Sequence, residues 1–327
     1  MRSALVTGAA GFIGSNLCRH LLSLGYRVTG VDSFHIFYPR ILKELNLNYF
    51  RKHFNFTFFE CDILNVRQLD VVFSQNRFDV VVHLAAIAGV APSIVDPASY
   101  YRINVLGTLN ILEQCKKFGV KKVVMASSSS VYGDTDKLPL AENNLAGKAL
   151  SPYAASKKAM EELAESFSVA HKISIACIRY FTVYGPAQRP DMAVSLFTRK
   201  VSRGDKIVLY GSDTARNYTY IDDVVLGTIK IVEADFSFDI VNIGGSEVVS
   251  LTKLIREISD ALGLEARYEM QTMPRQYDMK VTDASIIHAH DKYGYSPTIC
   301  LHDGIKKYVS WYSGLRNVYD QLDNGQL

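Results

Sequence analysis

Short, nearly uninterrupted apolar runs punctuate the first half of the chain, at residues 3–7, 27–31, 56–60, 80–84, 121–126 and 175–180. Runs of this length mark strands buried on both faces. Longer stretches rich in helix formers lie between them, at 12–24 (ended by Gly25), at 102–115 and from Pro152 to about Lys172. Ser151 suits the capping position of the last helix, and Pro152 its first turn, where a missing N–H costs nothing. Residues 34–54 are mixed, aromatic and charged, and are expected to form a loop with a helical piece. Strands alternating with helices at this spacing predict an α/β fold, a doubly wound parallel sheet of Rossmann-like type, over residues 1–180.

The pattern of residues 181–327 is more mixed. Strands are expected at 206–209, 218–221 and 239–243, and a helix at 224–232. Residues 250–262 place Leu251, Leu254, Ile255, Ile258 and Leu262 on one helical face. No repeat, low-complexity tract or linker separates the halves. The expectation is therefore a smaller mixed α/β substrate domain over 181–327, interleaved with the first.

Composition narrows the class. The chain has 327 residues, 48% of them hydrophobic, and a net charge of +3 from 36 Lys plus Arg against 33 Asp plus Glu. This balance argues against nucleic acid or membrane as the main partner. Cys18, Cys61, Cys115, Cys177 and Cys300 are scattered and lack C-x-x-C spacing, so neither a disulfide framework nor a metal site is expected. A reducing cytoplasm fits these thiols. The N-terminus runs straight into a strand without a signal peptide's apolar region, and no apolar run is long enough to span a bilayer.

Candidate chemistry begins at the first strand end. Gly8, Gly11 and Gly14 follow the strand at three-residue spacing and open a helix. Glycines permit a tight turn and close backbone approach, and a helix N-terminus attracts a pyrophosphate. Asp32, at the end of the next strand, can accept both ribose hydroxyls of an adenosine and would repel a 2′-phosphate, which predicts NAD rather than NADP. Asp62 follows the third strand as a candidate for the adenine amino group. Ala85, Ala86, Ala88 and Gly89 follow the fourth and let a ligand lie on the backbone. Ser127-Ser128-Ser129-Ser130 ends the fifth and presents hydroxyl donors. Ligands of such sheets bind beyond the carboxyl ends of the strands, where all these residues fall. Tyr153 and Lys157 are four apart, on one helical face, so an ammonium lies near a phenol and is expected to lower its pKa.

These segments together resemble the extended short-chain dehydrogenase/reductase family. The resemblance is carried by Thr7-Gly8-Ala9-Ala10-Gly11-Phe12-Ile13-Gly14, His83-Leu84-Ala85-Ala86, Asn104, the serine-rich strand end, and Tyr153 with Lys157, and runs from Arg2 to about Trp311. It implies that Tyr153 is the catalytic acid/base, that Ser128 is a third catalytic hydroxyl, and that Lys157 binds the nicotinamide ribose and lowers the tyrosine pKa. Asn104 is implied only as a structural or relay residue. The implied NAD-binding set is Gly8, Gly11, Phe12, Ile13, Gly14, Asp32, Asp62, Ile63, Leu84, Ala85, Ala86, Ser127, Tyr153, Lys157 and Tyr180. The family also implies a homodimer, through a helix bundle formed near 102–115 and 153–171.

Within the family, the second half resembles the nucleotide-sugar epimerase branch. Arg216-Asn217-Tyr218 and Arg275-Gln276-Tyr277-Asp278 are similar to segments that hold a diphosphate, which suits the planar fork of guanidinium. Relatives that dehydrate or decarboxylate sugars carry acidic residues just before the Val131-Tyr132-Gly133 segment, where this chain has Ser129 and Ser130. The string 179–186 with Arg189-Pro190-Asp191-Met192 looks most like UDP-glucuronate 4-epimerases, and implies Thr182 and Arg189 near a uronate carboxylate; Ser129 and Ser130 are expected to help Thr182 hold that carboxylate. The implied reaction is 4-epimerisation of UDP-glucuronate to UDP-galacturonate, through a 4-keto sugar and transient NADH. Two rival readings stand beside it: an epimerase of UDP-glucose or UDP-N-acetylglucosamine, and a non-catalytic NAD-binding regulatory protein.

Overall fold

The computed structural model describes residues 1–133, 135–144, 147–210, 214–271 and 279–324. In chain order, the first half contains β1 (Ser3–Thr7), α1 (Phe12–Ser23), β2 (Arg27–Asp32), α2 (Arg40–Asn48), β3 (Phe56–Glu60), α3 (Val66–Ser74) and β4 (Val80–His83). The short helices α4 (Val90–Val95) and α5 (Pro97–Tyr100) lead through a π-helical turn (Tyr101–Leu106) into α6 (Gly107–Phe118). Then come β5 (Lys122–Ser128), a 3₁₀ turn (Ser129–Tyr132), α7 (Pro152–His171) and β6 (Ser174–Tyr180).

The second half contains β7 (Thr182–Tyr184), α8 (Ala193–Arg203), β8 (Ile207–Tyr210), β9 (Ala215–Tyr220), α9 (Ile221–Glu233), β10 (Phe238–Ile243) and β11 (Val248–Ser250). It ends with α10 (Leu251–Leu262), β12 (Tyr268–Gln271), α11 (Ile287–Tyr293), α12 (Leu301–Ser313) and α13 (Arg316–Asp323).

Seven parallel strands form the main sheet, in the order β10-β6-β5-β4-β1-β2-β3. The apolar runs are continuous because each strand feeds two cores. Ala4, Val6, Val124, Ala126, Ala176 and Ile178 pack on one face, and Leu5, Val123, Met125, Ile175 and Cys177 on the other. The first face is covered by α1 and by α9, whose Ile221, Val224, Val225 and Ile229 join the same cluster. The second is covered by α3, α6 and α7 through Leu69, Ile111, Leu112 and Met160. Residues of the second half therefore cap the sheet and, as β10, extend it. A three-stranded sheet (β11-β9-β7) and a two-stranded one (β12-β8) make up the smaller mixed part.

The strand order reverses between β1 and β4, which opens a crevice at their carboxyl ends. Helix α7 is capped as expected, with Ser151 Oγ accepting from the Ala154 N–H at 3.2 Å and Pro152 in the first turn. The stretch expected to be one helix from 102 differs. It begins as a π-helical turn, in which Asn104 is buried. Asn104 bonds both backbone groups of Ile87 and the Ser156 hydroxyl, so side-chain bonds to two other segments accompany the wider turn. Such turns occur often at functional sites.

Candidate active site

A cleft of about 460 Å³ runs along the carboxyl ends of the parallel strands. Its floor at one end is the glycine turn. Gly8 has φ +70°, and a side chain there would meet the backbone of Ala85 at 2.9 Å. One at Gly14 would come within 2.1 Å of the Gly8 carbonyl oxygen. The turn therefore closes only with glycine, and its backbone, with α1 behind it, faces the cleft. This cradle fits the pyrophosphate of a dinucleotide. Asp32 is buried at the end of β2 and accepts from the N–H groups of Ala10 (3.2 Å) and Phe34 (2.8 Å). Burial pushes its carboxyl upward, against the pull of Lys43 and of those two donors. Phe12, Ile13, Asp62, Ile63, Leu84, Ala85, Ala86 and Ser127 also line this cleft. Asp62 accepts from the Leu64 N–H through one oxygen. Tyr180 lines it too, but its hydroxyl is bonded to Thr228 of α9 at 2.8 Å.

Ser128, Tyr153 and Lys157 meet in the middle of the cleft. Ser128 ends β5 and caps the 3₁₀ turn, its Oγ accepting from the Ser130 N–H at 3.2 Å. Tyr153 is buried, and burial pushes its phenol above the ordinary range. Two groups oppose that push, the Ser128 hydroxyl first and the Arg189 guanidinium second. Lys157 lines the same cleft as Tyr153. The Lys157 ammonium turns to the sheet and donates to the Ala126 carbonyl at 2.7 Å. Burial lowers Lys157 to about 8.

On the substrate side, Ser129, Ser130, Thr182, Arg189 and Arg216 line the same cleft. Arg189 makes a two-pronged pair with Asp191, both bonds 2.9 Å, and its guanidinium lies 5.0 Å from the centre of the Phe37 ring. Arg216 donates to the carbonyls of Ala215 (3.0 Å) and Lys280 (2.8 Å). Arg275 and Asp278 lie outside the described residues.

Several residues of the site carried no sequence signal. Lys43, buried on α2, has its Nζ 3.9 Å from Asp32 and bonded to the His35 carbonyl. Asp32 ends β2 and Lys43 lies on α2, so only the fold of the intervening loop pairs them. Glu161 and Arg179 form a buried two-pronged ion pair, with bonds of 2.9 and 2.8 Å, and Glu161 also accepts the Ser127 hydroxyl at 2.5 Å. Glu161 is one turn beyond Lys157, a spacing the sequence displays but helical surface pairs share.

A directed chain of bonds runs beneath the cleft. Thr7 Oγ1 accepts from the N–H groups of Leu84 and Ala85, so its own proton goes to His83 Nδ1, 2.7 Å away. His83 Nε2 then carries the hydrogen toward Thr108 at 3.0 Å, whose hydroxyl donates to the Asn104 carbonyl. Burial, with the Lys157 charge, lowers His83 to about 3, consistent with a neutral ring.

Residues 4–244 match the NAD dependent epimerase/dehydratase family. The chain is 40% identical to a UDP-glucuronate 4-epimerase of Thermodesulfobacterium geofontis, over 94% of this chain and 95% of that relative. Among solved structures it resembles the UDP-glucuronic acid 4-epimerase of Bacillus cereus in complex with UDP-glucuronic acid and NAD, with a TM-score of 0.89, 36% identity, and 96% and 99% of the two chains covered. It also resembles a UDP-glucose 4-epimerase of Thermotoga maritima with UDP-glucose, with a TM-score of 0.87, 31% identity and 96% and 99% covered. With the sheet order, the glycine cradle and a tyrosine–lysine pair in one cleft, these matches show that the chain belongs to the NAD dependent epimerase/dehydratase family.

Proposed function

We propose that this protein is an NAD-dependent nucleotide-sugar 4-epimerase that interconverts UDP-glucuronate and UDP-galacturonate. One observation carries the reading: Tyr153, Ser128 and Lys157 share a single cleft with the glycine cradle. Glycine turn, Asp32 and Lys43 hold the adenosine and pyrophosphate end of NAD. Bound NAD supplies a hydride acceptor that becomes the donor once the sugar has turned over, so no external oxidant is consumed.

The residues of the chain do the rest. Tyr153 takes the proton from the sugar O4 and returns it, with the Ser128 hydroxyl bridging the two oxygens. The Lys157 ammonium would help hold the nicotinamide ribose. Arg216, with Arg275, holds the UDP diphosphate while the oxidised ring rotates. A pocket built for this reaction binds the 4-keto ring more tightly than solvent does. A uronate oxidised at C4 is a β-keto acid that loses CO₂ when its C5–carboxylate bond stands perpendicular to the carbonyl plane. Ser129, Ser130, Thr182 and Arg189 hold the carboxylate away from that geometry.

The uronate is favoured over a neutral hexose by Arg189, a half-buried guanidinium in the same cleft as three hydroxyl donors. Similarity to UDP-glucose epimerases keeps the neutral sugar as the second reading. Purified protein is incubated with UDP-glucuronate or UDP-glucose without added cofactor, and products are separated by chromatography. Conversion of UDP-glucuronate is the expected result, and conversion of UDP-glucose alone rejects the assignment. Product formed in either case excludes a merely regulatory NAD-binding protein.

The assembly is a homodimer through the bundle of α6 and α7. Supporting it, Tyr101 and Leu106 in the turn before α6, and Val169 on α7, are exposed apolar side chains. Light scattering reads the mass directly, and a monomer rejects this. No helix among the described residues is long and apolar enough to cross a membrane. Four of the five thiols are buried and unpaired, which supports a cytoplasmic location.

A further inference from the structure

The segment between Asp32 and α2 crosses the cleft and reaches from the adenosine end to the catalytic end. Phe37 packs with Tyr153, Tyr100 and Ile87, and its ring faces the Arg189 guanidinium. Tyr38, the next residue, lines the same cleft, within reach of the charges of Asp32, Arg189 and Asp191. Its hydroxyl is buried, yet it has no hydrogen-bond partner among the described residues. A buried hydroxyl without a partner is costly, typically by about 1–3 kcal/mol, so one left in place calls for a missing acceptor.

The surroundings say what that acceptor is. The Tyr38 hydroxyl lies 4.0 Å from the point where a side chain at Gly11 would begin. Gly11 is the capping residue of α1, whose N-terminus is the pyrophosphate cradle. The Lys43 ammonium sits 4.7 Å from the centre of the Tyr38 ring, which adds positive charge to the same wall. Burial keeps the phenol protonated, so it serves as a donor and not as an anion that would repel phosphate. A neutral O–H facing a glycine cradle beside a cation matches an anionic phosphate oxygen better than a sugar hydroxyl.

We propose that the Tyr38 hydroxyl is a ligand of the dinucleotide pyrophosphate, donating to a phosphate oxygen at the Gly11 end of the turn. The segment carrying Tyr38 and Phe37 thereby couples cofactor retention to the wall that holds Arg189. The inference rests on the NAD reading above, and the acid-released NAD of the wild-type protein tests that reading separately.

Tyr38→Phe removes the hydroxyl and keeps the ring. The holoenzyme is chased with excess ADP-ribose, and loss of NAD is followed by chromatography of the retained fraction. Loss is expected roughly tenfold or more faster than in wild type, the size typical of a hydrogen bond to a charged group. UDP affinity, measured by calorimetry, is expected to be unchanged, and the melting temperature of the NAD-free variant no lower than that of NAD-free wild type. An unchanged rate of NAD loss overturns the proposal. So does weakened UDP binding, which would assign the hydroxyl to the substrate diphosphate or indicate a distorted cleft. A lower melting temperature of the NAD-free variant overturns it as well, since it would mean the hydroxyl is bonded within the protein.

Discussion

Lys157 Nζ donates to the Ala126 carbonyl oxygen at 2.7 Å, from a side chain that is almost wholly buried. The bond anchors the ammonium to the end of β5 and directs its remaining donors. Glu161 on its own helix, Cys177 on β6 and His83 on β4 lie within reach of its charge, and of these Cys177 and Glu161 raise its pKa. Burial outweighs both, and Lys157 titrates at about 8.

The sign of the pH dependence follows. The ammonium proposed to hold the nicotinamide ribose persists below pH 8 and is lost above it. NAD affinity should be flat below about pH 8 and then weaken by up to roughly tenfold per unit, as a single linked proton requires. In Lys157→Met the affinity should be weaker and flat across the range. For folding the sign is opposite. The unfolded lysine titrates at the ordinary 10.5, so between 8 and 10.5 the unfolded chain holds more protons. The buried ammonium therefore destabilises the fold below pH 8 and ceases to do so as pH rises to 10.5. Titrations of NAD between pH 6.5 and 9.5 check the first part, and a pH-independent wild type would sink it.

Tyr153→Phe should lower turnover by roughly 10²–10⁴-fold, the usual contribution of a positioned acid/base. NAD should remain bound, because the cradle, Asp32 and Lys43 are untouched. Steady-state rates with UDP-glucuronate, together with NAD released by acid, test this. Near-normal turnover would remove Tyr153 from its role.

Thr182→Val keeps the shape of the side chain and removes its hydroxyl. The uronate carboxylate should then reach the geometry that expels CO₂, and the ratio of pentose to epimer product should rise. Chromatography of products from UDP-glucuronate reads that ratio directly. An unchanged ratio rejects Thr182 as a guard of the carboxylate.

Glu161→Ala leaves Arg179 buried without its counter-charge and Ser127 without its acceptor. Breaking a buried pair from one side typically costs about 3–5 kcal/mol. The urea midpoint should drop accordingly. A shift equivalent to less than about 1 kcal/mol would mean that the pair is dispensable, as exposed pairs commonly are.

Asp32→Asn retains an acceptor oxygen but removes the charge opposite Lys43. The ratio of NADP to NAD affinity should rise by about tenfold, since the ammonium could then meet a 2′-phosphate without a competing carboxylate. Competitive titration of the two cofactors measures the ratio. No change would show that discrimination lies elsewhere in the loop.

What the sequence determined by itself is the part governed by local rules. Apolar runs marked the strands of the parallel sheet, because strands buried on both faces need apolar residues at every position. Ser151 and Pro152 marked the start of α7, since capping is a contact between near neighbours. Three-residue glycine spacing marked the cradle, where the backbone passes too close for any Cβ. Tyr153 and Lys157 were legible as a pair on one helical face.

The tertiary structure alone decided which distant groups act on them. Arg189, thirty-six positions beyond Tyr153, lies in the same cleft and acts on its phenol. Lys43 faces Asp32, Tyr38 faces Gly11, and Glu161 binds Arg179 of the neighbouring strand. No periodicity encodes such contacts. They arise only when separate segments pack into one interior, where burial strengthens every charge and makes each polar group find a partner.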